Sequence, residues 1–133
     1  MRKILMGLVL FFAATISVNA QLSSEKIYKD WSNHIESKNI VDVSYRILNC
    51  NGIDQVHFLV FNENMIDQQV TFTVEINDEA SKAKIVKEIT FAAAKATIYK
   101  ANCDTNSKTA HLKLTLPKGY NPKTTSVKVT FKP

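Results

Sequence analysis

Glycine and arginine are both scarce in this sequence, and each scarcity removes a class of function. Only three glycines occur among 133 residues. Gly7 lies in an apolar N-terminal run, which leaves Gly52 and Gly119 elsewhere. A phosphate-cradling loop or a dinucleotide fingerprint needs several glycines at fixed offsets, because the backbone must approach the phosphates closely. Neither pattern is present, nor is a Gly-x-Ser-x-Gly turn that would expose a nucleophilic serine. Arg46 is the single arginine beyond Arg2, so there is no arginine-rich stripe to track nucleic acid. The lysines Lys82, Lys84, Lys87, Lys95, Lys100 and Lys108 are spaced out, with Glu79 and Glu88 among them. That mixture reads as an ordinary solvated surface, and no nucleic-acid partner is expected.

Long apolar runs are also missing, with one exception at the start. Arg2 and Lys3 precede an apolar stretch from Ile4 to Ile16, followed by Ser17-Val18-Asn19-Ala20-Gln21. A basic segment, a short apolar core and small residues before a cut form the layout of a secretory signal peptide. The expected cut follows Ala20, making residues 1–20 a leader and 21–133 a single mature domain. The apolar core falls short of the roughly 20 residues a helical membrane span needs, so no span is expected after cleavage. The leader takes two basic residues with it, so the net charge of +5 drops by two. Its short basic segment and abrupt small-residue end look bacterial, and the expected location is the periplasm or the extracellular medium.

Cysteine is limited to Cys50 and Cys103. In an oxidising destination the two are expected to pair as a disulfide. Closing so long a loop is worth roughly 4 kcal/mol on the chain-entropy estimate. The competing reading is two separate buried thiols. Against it, both cysteines sit among turn-forming residues, in Asn49-Cys50-Asn51-Gly52 and Asn102-Cys103-Asp104.

What the sequence has in quantity is alternation with period two, which marks strands with one face on a core. Val41, Val43, Tyr45 and Ile47 alternate with Asp42, Ser44 and Arg46, which are expected to face solvent. Val56, Phe58 and Val60 alternate with His57, Leu59 and Phe61, so this strand is expected to be central and partly covered on its outer side. Val70, Phe72, Val74 and Ile76 follow against Thr71, Thr73 and Glu75. Near the end, Leu112, Leu114 and Leu116, then Val127, Val129 and Phe131, point inward. Residues 79–101 read either as a helix around Ala92-Ala93-Ala94 or as two strands joined at those alanines. The strand reading is favoured because Ile, Val, Thr, Phe and Tyr crowd both ends. Before the first clear strand, Ser24 could cap a short helix with Ile27, Trp31 and Ile35 as its apolar stripe. An irregular first strand is the alternative.

These segments predict an all-β fold, a two-sheet antiparallel β-sandwich with or without that short N-terminal helix. In strand number and spacing the pattern resembles an immunoglobulin or fibronectin-type sandwich. It departs from the immunoglobulin hallmark because Trp31 precedes the first cysteine and both cysteines fall at strand ends.

Reactive constellations are sparse. His34, His57 and His111 are isolated in sequence. His57 and His111 fall on expected strands near Asp54 and Asp104, but no spacing forces the convergence that zinc requires. The Asn/Asp groups at 62–67, 77–79 and 104–106 read as turns and lack the spacing of a calcium loop. Asp42, Glu75 and Glu88 read as solvent-face acids. No metal, cofactor or catalytic residue is therefore expected. Candidate recognition residues are Lys118, Tyr120 and Asn121 in the loop joining the last two strands, where an exposed tyrosine could stack on a sugar or anchor a protein. Tyr28, Trp31 and Tyr99 are further aromatics without a firm place in the core. The leading expectation is a non-catalytic exported domain that binds a protein or glycan, or acts structurally. The rivals are a small hydrolase with a carboxylate or histidine site and an inhibitor or immunity-type protein.

Overall fold

The computed structural model describes residues 24–104 and 108–132, which form two antiparallel sheets. The expected leader, residues 1–20, lies outside the described residues. The strands are β1 (Glu25–Lys29), β2 (Ile35–Glu36), β3 (Val41–Cys50), β4 (Ile53–Asn62), β5 (Gln68–Asp78), β6 (Ala83–Ala93), β7 (Thr97–Lys100), β8 (Lys113–Thr115) and β9 (Thr125–Phe131), with a short 3-10 turn at Ala110–Leu112. The first sheet runs β1-β3-β4-β7, with β2 also on β3 and β8 also on β4. The second runs β6-β5-β9. Among the described residues, no helix is long and apolar enough to cross a membrane.

Two hairpins form the body of the sandwich. β3 and β4 pair in continuous register from Val41↔Asn62 to Cys50↔Ile53. Their connection is Asn51-Gly52, both with positive φ (52° and 91°). That is the left-handed pair a two-residue hairpin turn requires, because its twist matches that of the flanking strands. Asn49 Oδ1 accepts the Gly52 N–H at 2.8 Å and closes the turn. β5 and β6 pair from Gln68↔Ala93 to Asp78↔Ala83 in the second sheet. The core lies between the hairpins. Phe58 of β4 meets Phe72 of β5 edge to face at 5.8 Å, and Phe72 meets Phe131 of β9 at 6.2 Å. Both Phe58 and Phe72 are fully buried, so this aromatic contact joins the two layers at their centre.

Residues 79–101 are strands, β6 and β7, joined by a bend where Ala96 takes a φ of 49°. The apolar faces decide against the helix: Ile89 and Ala93 are buried in the core, while Phe91 packs against its edge.

The first strands differ from the sequence expectation in two ways. Residues 24–36 form no helix; they run extended as β1 and β2 along the free edge of β3. Pairing with that edge satisfies backbone groups that a short helix would leave open at its ends. Between the two strands the Ser32 N–H donates to the Tyr45 carbonyl at 2.8 Å, and the Tyr45 N–H donates to Ser32 Oγ at 3.1 Å. The chain thus stays on the edge of β3 while Trp31 turns over the sheet.

That turn accounts for the second difference. Asp42, Ser44 and Arg46 do not face solvent; they are buried on the outer side of β3. The Trp31 ring covers the Arg46 guanidinium at 4.8 Å, and the Lys100 ammonium lies 5.7 Å from the same ring. A guanidinium on an aromatic face keeps its attraction while losing water.

Cys50 and Cys103 are bonded. Cys50 ends β3 and Cys103 follows β7, so the bridge ties two regions of the first sheet rather than sheet to sheet.

Candidate functional site

The outer face of the first sheet carries two polar groups built on buried residues. At one end, a tight turn over residues 37–41 joins β2 to β3. Ser37 Oγ accepts the Val41 N–H at 3.1 Å, and the Ser37 N–H donates to the Val41 carbonyl at 2.9 Å. Within the turn Ile40 holds a φ of 49°, a strained conformation for a β-branched residue. The turn sets Glu36 directly opposite Asp42 in the β2–β3 ladder. His34, two residues before Glu36, projects toward the same pair.

The donor atoms of His34, Glu36 and Asp42 all lie within 4.8 Å of one another. His34 and Glu36 are exposed, whereas Asp42 retains only 7 % of its accessible surface. Asp42 Oδ1 is buried and has no hydrogen-bond partner among the described residues. A buried carboxylate oxygen without a partner is costly, because desolvation is not repaid. Glu63, just past β4, adds a third acid. Its N–H donates to the Ile40 carbonyl at 3.0 Å, which holds it beside the turn. The Glu63 carboxyl is held above the usual carboxylate range, first by a hydrogen bond shared with Asp42, then by the Asp42 charge, by desolvation and by Glu36; His34 acts in the opposite direction.

Three donors of this kind suit a divalent cation. Donors bonded to zinc at about 2.0–2.2 Å lie roughly 3.5 Å apart, so the cluster needs to contract by about an ångström. Its two exposed members are free to swing inward while Asp42 stays fixed. An imidazole with two carboxylates favours zinc, manganese or iron over calcium, whose ligands are oxygens. A recess of about 350 Å³ adjoins the turn, with Glu36 at its boundary and Lys38, Asn39, Gln68 and Lys132 among its walls.

A second polar group lies further along the same face. His57 pairs with Arg46 across β3 and β4 and is fully buried. Its Nε2 lies 2.7 Å from Gln55 Oε1 and 3.6 Å from Cys50 Sγ. Desolvation, then the charges of Arg46 and Lys113, lower its pKa from 6.5 to about 4, with the Ala101 backbone acting the other way. It is a neutral imidazole under the disulfide. His111 is exposed and packs on the Phe91 ring at 4.8 Å. His57 and His111 do not converge on a common donor set among the described residues.

The other sequence candidates are placed as follows. Tyr120 packs against the core, and the Asn121 N–H points to Asp78 Oδ2 at 3.4 Å, while Lys118 is exposed. Tyr28 is half-buried beside Asp54, with the Lys26 ammonium 5.4 Å from its ring. Tyr99 stacks edge to face on Phe91 at 5.5 Å, and its hydroxyl accepts the Ala94 N–H at 2.9 Å. None of these residues contributes a donor to the acidic cluster. The sequence reading missed the cluster, although His34-x-Glu36 has the spacing that puts two side chains on one face of a strand. Alternation alone makes Asp42 a solvent-face acid, and its burial overturns that.

Compared with family models, curated proteins and solved structures, the chain matches none.

Proposed function

We propose that this protein is a small β-sandwich domain built around a divalent-cation centre of His34, Glu36 and Asp42, and that the centre supports hydrolytic chemistry. The observation that carries the reading is the buried Asp42 carboxylate, whose Oδ1 lacks a hydrogen-bond partner among the described residues, with an oxygen within 4.8 Å of two exposed donors. A cation there would offset the cost of that oxygen and the mutual repulsion of Asp42, Glu36 and Glu63. Three protein ligands at an exposed position leave room for water, and a bound divalent cation lowers the pKa of such a water toward 7. Glu63 stands beside the centre as a further ligand or proton carrier. Among the functions the sequence allows, this geometry favours the small hydrolase with a carboxylate and histidine site over a purely non-catalytic binder.

The N-terminal basic, apolar and small-residue pattern supports export. The strand order supports the finer likeness to an immunoglobulin or fibronectin-type sandwich: successive hairpins lie on opposite sheets, and the next strand, β7, returns to β4.

Calorimetric titration of the purified protein with zinc and manganese tests the centre. Saturable binding at one site, lost in Asp42→Asn and weakened in Glu36→Gln, is the expected result. Failure to bind either cation more tightly than about 1 mM sinks the proposal. A panel of ester, phosphoester, peptide and glycoside substrates, with metal and with chelator, then tests turnover. Binding without metal-dependent turnover would leave a recognition or structural cation site in place of a hydrolase.

A further inference from the structure

The second sheet ends in a long open edge. β6 pairs with β5 along its whole length and has no partner on its other side among the described residues. Its outward row is Lys84, Val86, Glu88 and Thr90, all exposed, and Val86 alone presents 53 % of its surface to solvent. Such an edge offers unpaired backbone donors and acceptors to another strand, and natural edges are commonly protected by charge or bulges. β6 carries no register break, and its charges do not simply repel.

We propose that the protein forms a two-fold homodimer through β6, with residues 83–89 of each copy pairing antiparallel about Val86. In this register Lys84 lies opposite Glu88 of the second copy, and Glu88 opposite its Lys84. Val86 meets Val86 between them, so the exposed valines cover one another. Other registers that keep both core faces on the same side are poorer. Centring on Lys87 or Glu88 sets a like charge against itself, and centring on Ile85 leaves Lys84 and Glu88 without each other. Directly opposed unlike charges favour pairing and like charges disfavour it.

The ion pairs already present reinforce this choice. Lys84 lies 3.7 Å from Glu75, and Glu88 lies 3.8 Å from Lys132. Dimerisation would extend them into a row of alternating sign: Glu75 and Lys84 of one copy, then Glu88 and Lys132 of the other. Isolated exposed pairs contribute little, but networks contribute more. The opposite edge of the sheet, β9, presents Ser126, Lys128 and Thr130 outward and has no acid to match a second Lys128. Complementarity to a copy of the same chain therefore belongs to β6.

Sedimentation equilibrium over a wide concentration range, with circular dichroism to confirm folding, tests the proposal. The wild type is expected to show a monomer–dimer equilibrium that weakens with salt. Glu88→Lys and Lys84→Glu should each raise the dissociation constant at least tenfold while leaving the fold intact. The double exchange Lys84→Glu with Glu88→Lys should dimerise more tightly than either single variant, short of the wild type because Glu75 and Lys132 then face like charges. A wild type that stays monomeric at all accessible concentrations overturns the proposal. So does a dimer indifferent to the single reversals, one that the double exchange fails to rescue, or a series of growing oligomers.

Discussion

Acidification should destabilise this protein through His57, and the structure gives both sign and size. The unfolded chain protonates this imidazole near pH 6.5, whereas the folded chain does so only near 4. Between those values the unfolded state binds the extra proton, so stability is fully present above 6.5 and falls as pH drops through the window. At 1.36 kcal/mol per unit the whole shift amounts to ~3 kcal/mol. The effective dielectric around even buried groups exceeds that of dry protein, which leaves about 2 kcal/mol. Glu63 works in the opposite direction, because its raised pKa contributes stability that fades as pH rises. Glu75 and Asp78, whose pKa values are lowered chiefly by hydrogen bonds from Asn77 and Thr124, lose their contributions only as pH falls through the carboxylate range. The comparison that isolates the imidazole is His57→Gln against wild type, by urea denaturation between about pH 7 and pH 4. The variant should lose about 2 kcal/mol less than wild type over that range. Parallel pH profiles for the two proteins would refute the reasoning, whatever their absolute stabilities.

Three further outcomes follow from packing and backbone geometry. Cys50 and Cys103 are separated by 53 residues, so replacing both with alanine should cost roughly 4 kcal/mol on the chain-entropy estimate, read by denaturation under non-reducing conditions. Phe72→Ala removes the ring that contacts both Phe58 and Phe131; a loss of about 3–5 kcal/mol is expected, and a loss below ~1 kcal/mol would contradict the packing described. Ala96 sits at a φ of 49° in the bend before β7, so Ala96→Gly should be neutral or stabilising by up to about 1 kcal/mol in a thermal melt, although glycine normally costs stability.

The central strands were legible because their neighbours impose a simple alternation. Val43, Tyr45 and Ile47, or Val70, Phe72 and Val74, each belong to a strand with one face on the core, and period two survives any detail of the turns. The same rule held for residues 79–101, where tertiary packing of Ile89 and Ala93 outweighed the helix preference of the alanines. It misled at Asp42 and Arg46. Alternation reports which residues share a face but not what later covers that face. Here Trp31 and the β2 segment, held to the edge of β3 through Ser32, enclose it. The acidic cluster was hidden for the same reason. His34-x-Glu36 and Asp42 meet only because the intervening turn tolerates Ile40 in a left-handed conformation, and a β-branched residue is a poor advertisement for such a turn. The apolar stripe of Ile27, Trp31 and Ile35 suggested a helix because local spacing does not reveal a vacant strand edge nearby.

The route of the chain between the layers has a kinetic consequence. The β3–β4 and β5–β6 hairpins are local and can close early, but each belongs to a different sheet. Neither hairpin buries its apolar face until Phe58 docks on Phe72. β7 and β8 must then return to β4, and β9 must cross back to β5, against partners far away in sequence. A fold rich in such distant pairings is expected to refold in roughly milliseconds to seconds rather than microseconds. The aligned cysteines come together only when β7 has settled against β4. Oxidation would therefore act as a latch on a nearly finished barrier crossing, slowing escape from the native state more than it hastens arrival.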